Sequence, residues 1–391
     1  MRILIYRWKS YTQFDMIEEL RRRGHEVFDF QCEMSNYEED GHFAEVLRGK
    51  LDEVRPELVV SSNYFSLISD ECEQRGIRYL SWCCDSPIST MYHESIRNSK
   101  NTVFQFDMTN QLEFKAMGAP VYYLPLCSAV DRVDALLNER KVPDILTMDS
   151  YISDVTFIGS MYRKNMYDDI ADRLSEYRRG YFDAALKMQM NAYGMYLLDD
   201  ILDGETLADL ERHFILAKTE RSFADLNMTF ATTVLSYKIA QMERQAVIAK
   251  LSERFAVNVY TDDGTIDFVK ATRHKTVDYW SEAPEIYRRS KINLNLTLRS
   301  IQSGIPLRVW DILGAGGFLI TNYQPELGLY FEQKKDLVYF EDLDDLAKLV
   351  EYYLEHEEER KQIAANGYRK VKELHQYRNR FDAMRQWIPE I

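Results

Sequence analysis

The sequence predicts an α/β protein with two doubly wound parallel domains facing one another across a cleft and a helical insertion in the second. Three observations carry this. The chain has 391 residues, too many for one ordinary core and about right for two. Short apolar runs alternate with amphipathic stretches in both halves, the pattern of strands each followed by a crossover helix. The alternation stops between about residues 167 and 255, where only helical periodicity is found.

The elements follow in order. "RILIY" is a strand. "YTQFDMIEELRRRGH" is a helix with Phe14, Ile17 and Leu20 on one face and Gly24 as its stop. His25 falls in the turn to the strand "EVFDF". Helices "FAEVLRGKLDEVRP" and "LISDECEQRG" alternate with strands "ELVVSS" and "IRYLSW". Strand "TVFQFD", helix "NQLEFKAMG" and strand "PVYYLP" complete an N-terminal domain over 1–130, and a charged linker occupies 131–153. The C-terminal domain, 154–375, opens on the strand "DVTFIGS" and is interrupted by the insertion. It resumes with "AVNVYT", "EIYRRS", "KINLNLT", "RVWDILGAGG", "FLIT" and "LVYF". In "DLAKLVEYYLEH", Leu346, Leu349, Val350, Tyr353 and Leu354 form one apolar stripe. Residues 376–391 are a last helix that can cross back to the N-terminal domain. Both domains are therefore expected to be Rossmann-like. Their ligands belong beyond the carboxyl ends of the strands, and the cleft is the default active site.

Composition removes several functions. A net charge of -14 argues against a nucleic-acid ligand and against broad adhesion to anionic lipid, while leaving room for a local phosphate-binding patch. The five cysteines are odd in number, Cys83 and Cys84 are adjacent, and there is no CxxC. This reads as reduced thiols in a cytoplasmic protein. "MRILIYRWKS" starts a strand, not a signal peptide, and no apolar run reaches membrane-spanning length. The 26 tyrosines suit sugar or base binding, or plain half-buried packing. An insertion rich in Tyr, Leu and Met can carry a homodimer contact or recognise a large acceptor.

The stretch "PLRVWDILGAGGFLITN" places Asp311 in an apolar helix, then Gly314, Gly316 and Gly317 before a strand. A carboxylate there can grip a ribose diol, and glycines let backbone N–H groups approach a phosphate. Equally, the acid can answer a helix dipole and the glycines can be caps. Val277, Asp278 and Tyr279 form a loop able to hold a nucleobase, with Tyr279 otherwise a packing residue. In "VTFIGSMYRKN" a strand ends at Gly159 and Ser160, and Arg163 and Lys164 follow. They suit a diphosphate, or are solvated turn charges. "WCCDSP" places Asp85 after a strand as a general base, or as a turn residue, with His93 of "MYHESI" as second candidate. Asn63 and Tyr64 follow another strand and can touch an acceptor. His213 and His274 lie in charged, solvated surroundings, and "TDDG" at 261–264 suits a turn. There is no DxD after an apolar strand and no His-rich cluster, so no metal is expected.

Together these pieces resemble the GT-B glycosyltransferases and, more narrowly, the CgeB-type spore-maturation glycosyltransferase-like proteins. The resemblance rests on "YRWKSYTQFDMIEEL", "SSNYFSLISDEC", "YLSWCCDSP" and "YYLPL" in the first half. In the second it rests on "DVTFIGSMY", "NLNLTLRSIQSGIPLRVWDILGAGGFLITNYQPEL" and "DLDDLAKLVEYYLEHEEERKQIAANGY". It implies metal-independent transfer of a hexosyl or related sugar, with the nucleotide-sugar donor, UDP-linked by expectation, on the C-terminal domain and the acceptor on the N-terminal one. No cofactor beyond that substrate is implied. Asp311 matches an acid, usually Glu, that contacts the donor ribose. Ser303 stands where many relatives carry a Glu that touches the donor sugar. Arg163, Lys164, Arg299 and Arg308 are candidates to neutralise the leaving diphosphate, or to pair with helix carboxylates. The acceptor implied is a spore-surface or cell-envelope glycan. A nucleotide-sugar epimerase on the same fold, and a catalytically degenerate binding or scaffold protein, are the alternatives.

Overall fold

The structure, a computed structural model, describes every residue except 213, 215, 217 and 263–269. The chain forms two compact units. Unit 1 comprises Met1–Leu126, Ile215–Thr229 and Tyr377–Ile391; unit 2 comprises Cys127–Phe214 and Phe230–Gln376.

Unit 1 is built on six parallel strands: β1 (Arg2–Tyr6), β2 (Glu26–Phe30), β3 (Leu58–Ser62), β4 (Arg78–Trp82), β5 (Asn101–Gln105) and β6 (Val121–Tyr123). Their order is β2-β1-β3-β4-β5-β6. The central strand β3 is buried along its whole length, as a sheet covered by helices on both faces requires. The helix Gly41–Val54 packs Phe43, Leu47, Leu51 and Val54 against this sheet, starting from Asp40, whose side chain accepts from the Phe43 N–H at 2.9 Å.

Unit 2 holds β7 (Ser153–Ile158), β8 (Val257–Tyr260), β9 (Thr272–His274), β10 (Ser290–Asn295), β11 (Leu319–Asn322) and β12 (Val338–Phe340). These are also parallel, in the order β12-β11-β10-β7-β8-β9. The stripe in the helix Leu343–Glu355 faces the core: Leu346, Val350 and Tyr353 are buried, with Leu349 and Leu354 packed at the margin.

Three differences from the sequence reading are local. The expected linker contains the helix Val130–Glu139, with Val130, Val133 and Leu137 buried, and it counts with unit 2. Strand β9 falls on "TRH", which has no apolar run to announce it. Between β7 and β8 the chain is helical, as expected, but one stretch of it counts with unit 1. There the Phe223 N–H donates to the Tyr92 carbonyl at 2.9 Å, Arg221 makes a bidentate pair with Asp70, and Ala224 joins the apolar core. The helix Ser236–Ser252 then covers the unit 2 sheet with Val247, Ile248 and Leu251.

Candidate functional site

In an open parallel sheet, ligands bind beyond the strand carboxyl ends where the strand order changes direction. In unit 1 that point lies between β1 and β3, and in unit 2 between β7 and β10.

At the unit 2 point, β7 ends and Gly159 follows. A Cβ on Gly159 would sit 2.8 Å from Nη2 of Arg308, so a side chain there would make that guanidinium move. Arg308 comes from the first turn of the helix Leu307–Gly314. Its Nη1 donates to Asn295 Oδ1 at 3.2 Å, and its guanidinium lies over the Phe157 ring at 5.8 Å. A second guanidinium arrives from the helix Ser236–Ser252. Arg244 donates to the carbonyls of Ser160 at 2.5 Å and Leu296 at 2.8 Å, tying together the loops that leave β7 and β10. Burial pushes its pKa down to about 10; the nearby Tyr162 opposes the fall and Arg308 adds to it. Arg244 escaped the sequence reading. Its signal was there: Glu243 and Arg244 stand four residues before the buried Val247 and Ile248, so both charges sit on the buried face.

Asp311 lies three residues after Arg308, on the same helical face, and is half-buried. The Tyr279 hydroxyl reaches both of its carboxylate oxygens at 3.0 Å. Tyr279 also meets Trp280 edge-on, with ring centroids 5.5 Å apart. Val277 is half-buried in the same loop, and Asp278 closes that loop by accepting from the Trp280 and Ser281 N–H groups.

Two glycines of this stretch, Gly316 and Gly317, spend their backbone N–H groups on the helix before them. Gly316 has φ +76°, its N–H donates to the Leu313 carbonyl, and the Gly317 N–H donates to the Ile312 carbonyl, both at 2.9 Å. That pair of bonds is a Schellman cap, which wants glycine at its left-handed position. Both glycines are buried. A Cβ on Gly316 would meet Ile145 at 2.5 Å and Arg288 at 2.7 Å; on Gly317 it would meet Asn293 and the Tyr287 carbonyl at 2.7 Å. They precede β11 and so lie at the amino edge of the sheet. The expectation that Gly316 and Gly317 open backbone to a phosphate is corrected to a cap.

Arg299 is also spoken for. Its Nη2 lies 2.8 Å from the Glu243 carboxylate, both side chains are buried, and it donates to the Met190 carbonyl at 3.0 Å. Ser303 is buried, and its hydroxyl donates to Glu326 Oε1 at 2.7 Å. Glu326, itself buried, is a carboxylate the sequence reading did not bring there. Ser160, Arg163 and Lys164 are exposed on the loop after β7.

At the unit 1 point the side chains are mostly neutral, with one carboxylate. The Trp8 indole donates to the Ser62 carbonyl at 2.6 Å. Ser10, Thr12 and Ser62 share hydroxyl contacts, and Cys84 Sγ lies 3.5 Å from Ser62 Oγ. Asn63 adopts φ +65°. Its Oδ1 accepts from the Cys84 N–H at 2.8 Å, and its Nδ2 donates to Asp85 Oδ2 at 2.6 Å. Protein packed around the Asp85 carboxyl pushes its pKa up, and the Asn63 bond lowers it; the residue is nonetheless open to solvent, which limits the upward push.

Two expected contacts point elsewhere. Tyr64 is fully buried, its hydroxyl on Ser95 at 2.7 Å, so it cannot meet an acceptor. His93 is 2% exposed; its Nδ1 accepts from the Ser95 N–H at 3.2 Å, which makes it a turn cap. Burial, and then Arg221, push its pKa down. His274 is not loosely solvated: it stacks on Tyr260 at 4.5 Å and its Nε2 lies 2.6 Å from Asn258 Oδ1. His213 and the last two residues of "TDDG" lie outside the described residues. Among the described residues no group of three or more His, Cys, Asp or Glu is placed to hold a metal ion, and no helix is long and apolar enough to cross a membrane.

Comparison with known proteins returns the same architecture. A family model described as "Glycosyl transferase-like" matches residues 239–386, less than half of the chain. No curated protein matches. Among solved structures, the sucrose-phosphate synthase of Thermosynechococcus elongatus superposes with a TM-score of 0.57 at 9% identity, covering 100% of this chain and 98% of its own. A glycosyltransferase from Rickettsia africae gives 0.55 at 9% identity, over 98% of this chain and 97% of its own. HepE of Anabaena in complex with UDP gives 0.54 at 8% identity, over 100% of both chains. The fold is GT-B: two Rossmann-like domains, with a helical insertion in the second.

Proposed function

We propose that this protein is a glycosyltransferase that binds a nucleoside-diphosphate sugar on unit 2 and an acceptor on unit 1. The observation that carries the reading is the convergence of Arg308 and Arg244 on the switch point of unit 2, admitted by Gly159. Glycosyl transfer breaks the bond from the anomeric carbon to the diphosphate, and negative charge grows on the leaving group. Guanidiniums already aimed at that charge stabilise it without reorganisation. Arg308 is the direct candidate; Arg244, bound to two backbone carbonyls, holds the loops that shape the site. Asp311, oriented by Tyr279, takes the ribose hydroxyls. UDP is the nucleotide of choice because HepE, with the same fold, is described in complex with it.

In an inverting reaction Asp85 receives the proton of the acceptor hydroxyl as that oxygen attacks. Asn63 holds the carboxylate for this. The narrower resemblance to CgeB-type proteins and the envelope-glycan acceptor rest on the sequence motifs alone.

A second reading is favoured by one observation. Ser303, at the position where many relatives are expected to carry a sugar-contacting acid, is buried and bonded to Glu326. A protein that binds the nucleotide sugar without transferring it fits that geometry. One experiment decides. Thermal stability is followed with UDP, GDP, dTDP and CDP, since a ligand that binds only the folded state raises it by mass action. Sugar release and transfer are then assayed with the matching nucleotide sugars. Stabilisation with turnover supports the transferase, stabilisation alone supports the binding protein, and a response to none of the four overturns the donor site.

A further inference from the structure

At the amino edge of the unit 2 sheet lies a small cavity of about 20 Å³, open at its mouth, whose polar lining is Tyr151, Arg288, Ser290, Lys291, Arg360 and Lys361. Four cations surround it, and their partners are unequal. Lys291 is paired with Asp154 at 2.6 Å and Lys361 with Glu357 at 2.8 Å, with the exposed Glu358 carboxylate farther off at 3.8 Å. Neither arginine has a carboxylate that close. Arg288 is buried and spends its donors on the carbonyls of Ala315 and Pro143; Asp134 and Asp144 act on it only from a distance. Arg360 is 2% exposed. Its Nη1 donates to the Tyr353 carbonyl, capping the helix Leu343–Glu355, and its guanidinium lies 5.4 Å over the Tyr151 ring. Its Nη2 is buried and makes no hydrogen bond; the nearest acid, Glu357, stands 4.0 Å away.

A buried guanidinium with an idle N–H group is costly unless something accepts from it. One such N–H group, beside a second buried guanidinium and two lysines on the same lining, suits a compact acceptor of more than one negative charge. We propose that this cavity is a binding site for a phosphoryl oxyanion, either inorganic phosphate or the phosphate of a small phosphomonoester. Arg360 Nη2 and Arg288 donate to its oxygens, Lys291 and Lys361 add charge, and the Ser290 and Tyr151 hydroxyls complete the lining. A tetrahedral, multiply charged anion matches planar guanidinium donors better than chloride does. The cavity is too small for a whole nucleotide sugar, so the site is separate from the donor site and does not depend on it. Strand β10 runs between them, with Ser290 at one end and Asn295 at the other, a span of about 17 Å at the usual rise per residue. The two are still physically linked. Arg288 holds the carbonyl of Ala315, just past the helix whose first turn carries Arg308.

The test is calorimetric titration of the full chain with inorganic phosphate and, separately, with glucose 6-phosphate, against chloride at matched ionic strength. Saturable binding of either phosphate is expected. Arg360→Gln weakens it roughly tenfold or more, the loss of a charge-assisted bond. Because Arg360 also caps a helix, Lys291→Met, at a partly exposed side chain, is the second variant and is expected to weaken binding in the same direction. The titrations are run on an Arg308→Ala background, which removes phosphate held at the proposed donor site, and the Arg360→Gln and Lys291→Met comparisons are made on it. Whichever phosphate binds more tightly identifies the natural source. Absence of binding to both on that background, or binding kept in both Arg360→Gln and Lys291→Met, overturns the assignment.

Discussion

The switch points of the two sheets occupy the same place in the topology and carry opposite chemistry. Unit 1 gathers hydroxyls, a thiol, an amide and one carboxylate: Ser10, Thr12, Ser62, Cys84, Asn63 and Asp85. Unit 2 gathers two guanidiniums, Arg308 and Arg244, around a glycine. A parallel sheet provides a position for a ligand; the side chains at its edge decide which ligand. Neutral donors and acceptors beside one base suit a hydroxylated acceptor. Paired cations suit a diphosphate. On the proposed function the difference would be a division of labour, and that can be attacked from either side.

The largest expected effect is on unit 1. If Asp85 accepts the proton, Asp85→Asn lowers transfer by about 10²–10⁴-fold and leaves nucleotide binding untouched. Steady-state transfer and nucleotide titration on the same variant check this. Equal loss of both would erase the proposed division. On unit 2, Arg308→Ala is expected to lower turnover by about 10²–10³-fold, the cost of removing one preorganised donor from a developing charge. Nucleotide diphosphate should also bind more weakly, whereas affinity for a nucleoside without phosphates should be unchanged. A variant that binds the diphosphate normally would remove Arg308 from the site.

A smaller effect belongs to Asp311. Asp311→Ala is expected to weaken the nucleotide about tenfold or somewhat more, the scale of a hydrogen bond to a charged group. Tyr279→Phe should do less, because the carboxylate stays and only its orientation is relaxed. A 2′,3′-dideoxy nucleotide should then bind wild type and Asp311→Ala alike. If it still discriminates between them, Asp311 does not hold the ribose.

Much of this was legible in the sequence, for a definite reason. Strands such as Leu58–Ser62 are buried on both faces, so they read as unbroken apolar runs, and the helix Leu343–Glu355 shows its buried stripe directly. β9 is a short strand with exposed Thr272 and Arg273 at the sheet margin, so burial left no pattern to read. Asp311 and Tyr279 were named from separate stretches and meet at 3.0 Å. The glycines were ambiguous because a ligand-facing loop and a Schellman cap call for the same residue. Position in the sheet separates the two readings, and position is tertiary. Arg244 and Glu326 were hidden for a related reason: each acts across a large sequence separation, Arg244 on Ser160 and Glu326 on Ser303.

The smallest effect sharpens the comparison most. Asn63 donates to Asp85 and lowers its pKa, against the packing that raises it. A base works in its ionised form, so the rate should rise with pH through the pKa of Asp85, and packing sets that rise above the ordinary Asp range. Asn63→Gly removes the amide while tolerating φ +65°. The hydrogen bond that opposed the rise is gone, the pKa climbs further, and the acid limb of the rate profile moves to higher pH while the plateau rate falls little. The same substitution should leave nucleotide affinity equal to that of wild type at each pH, because it alters no group invoked on unit 2. An acid limb that stays in place would mean that another group carries the proton, and Asp85 would then be a turn residue beside the acceptor.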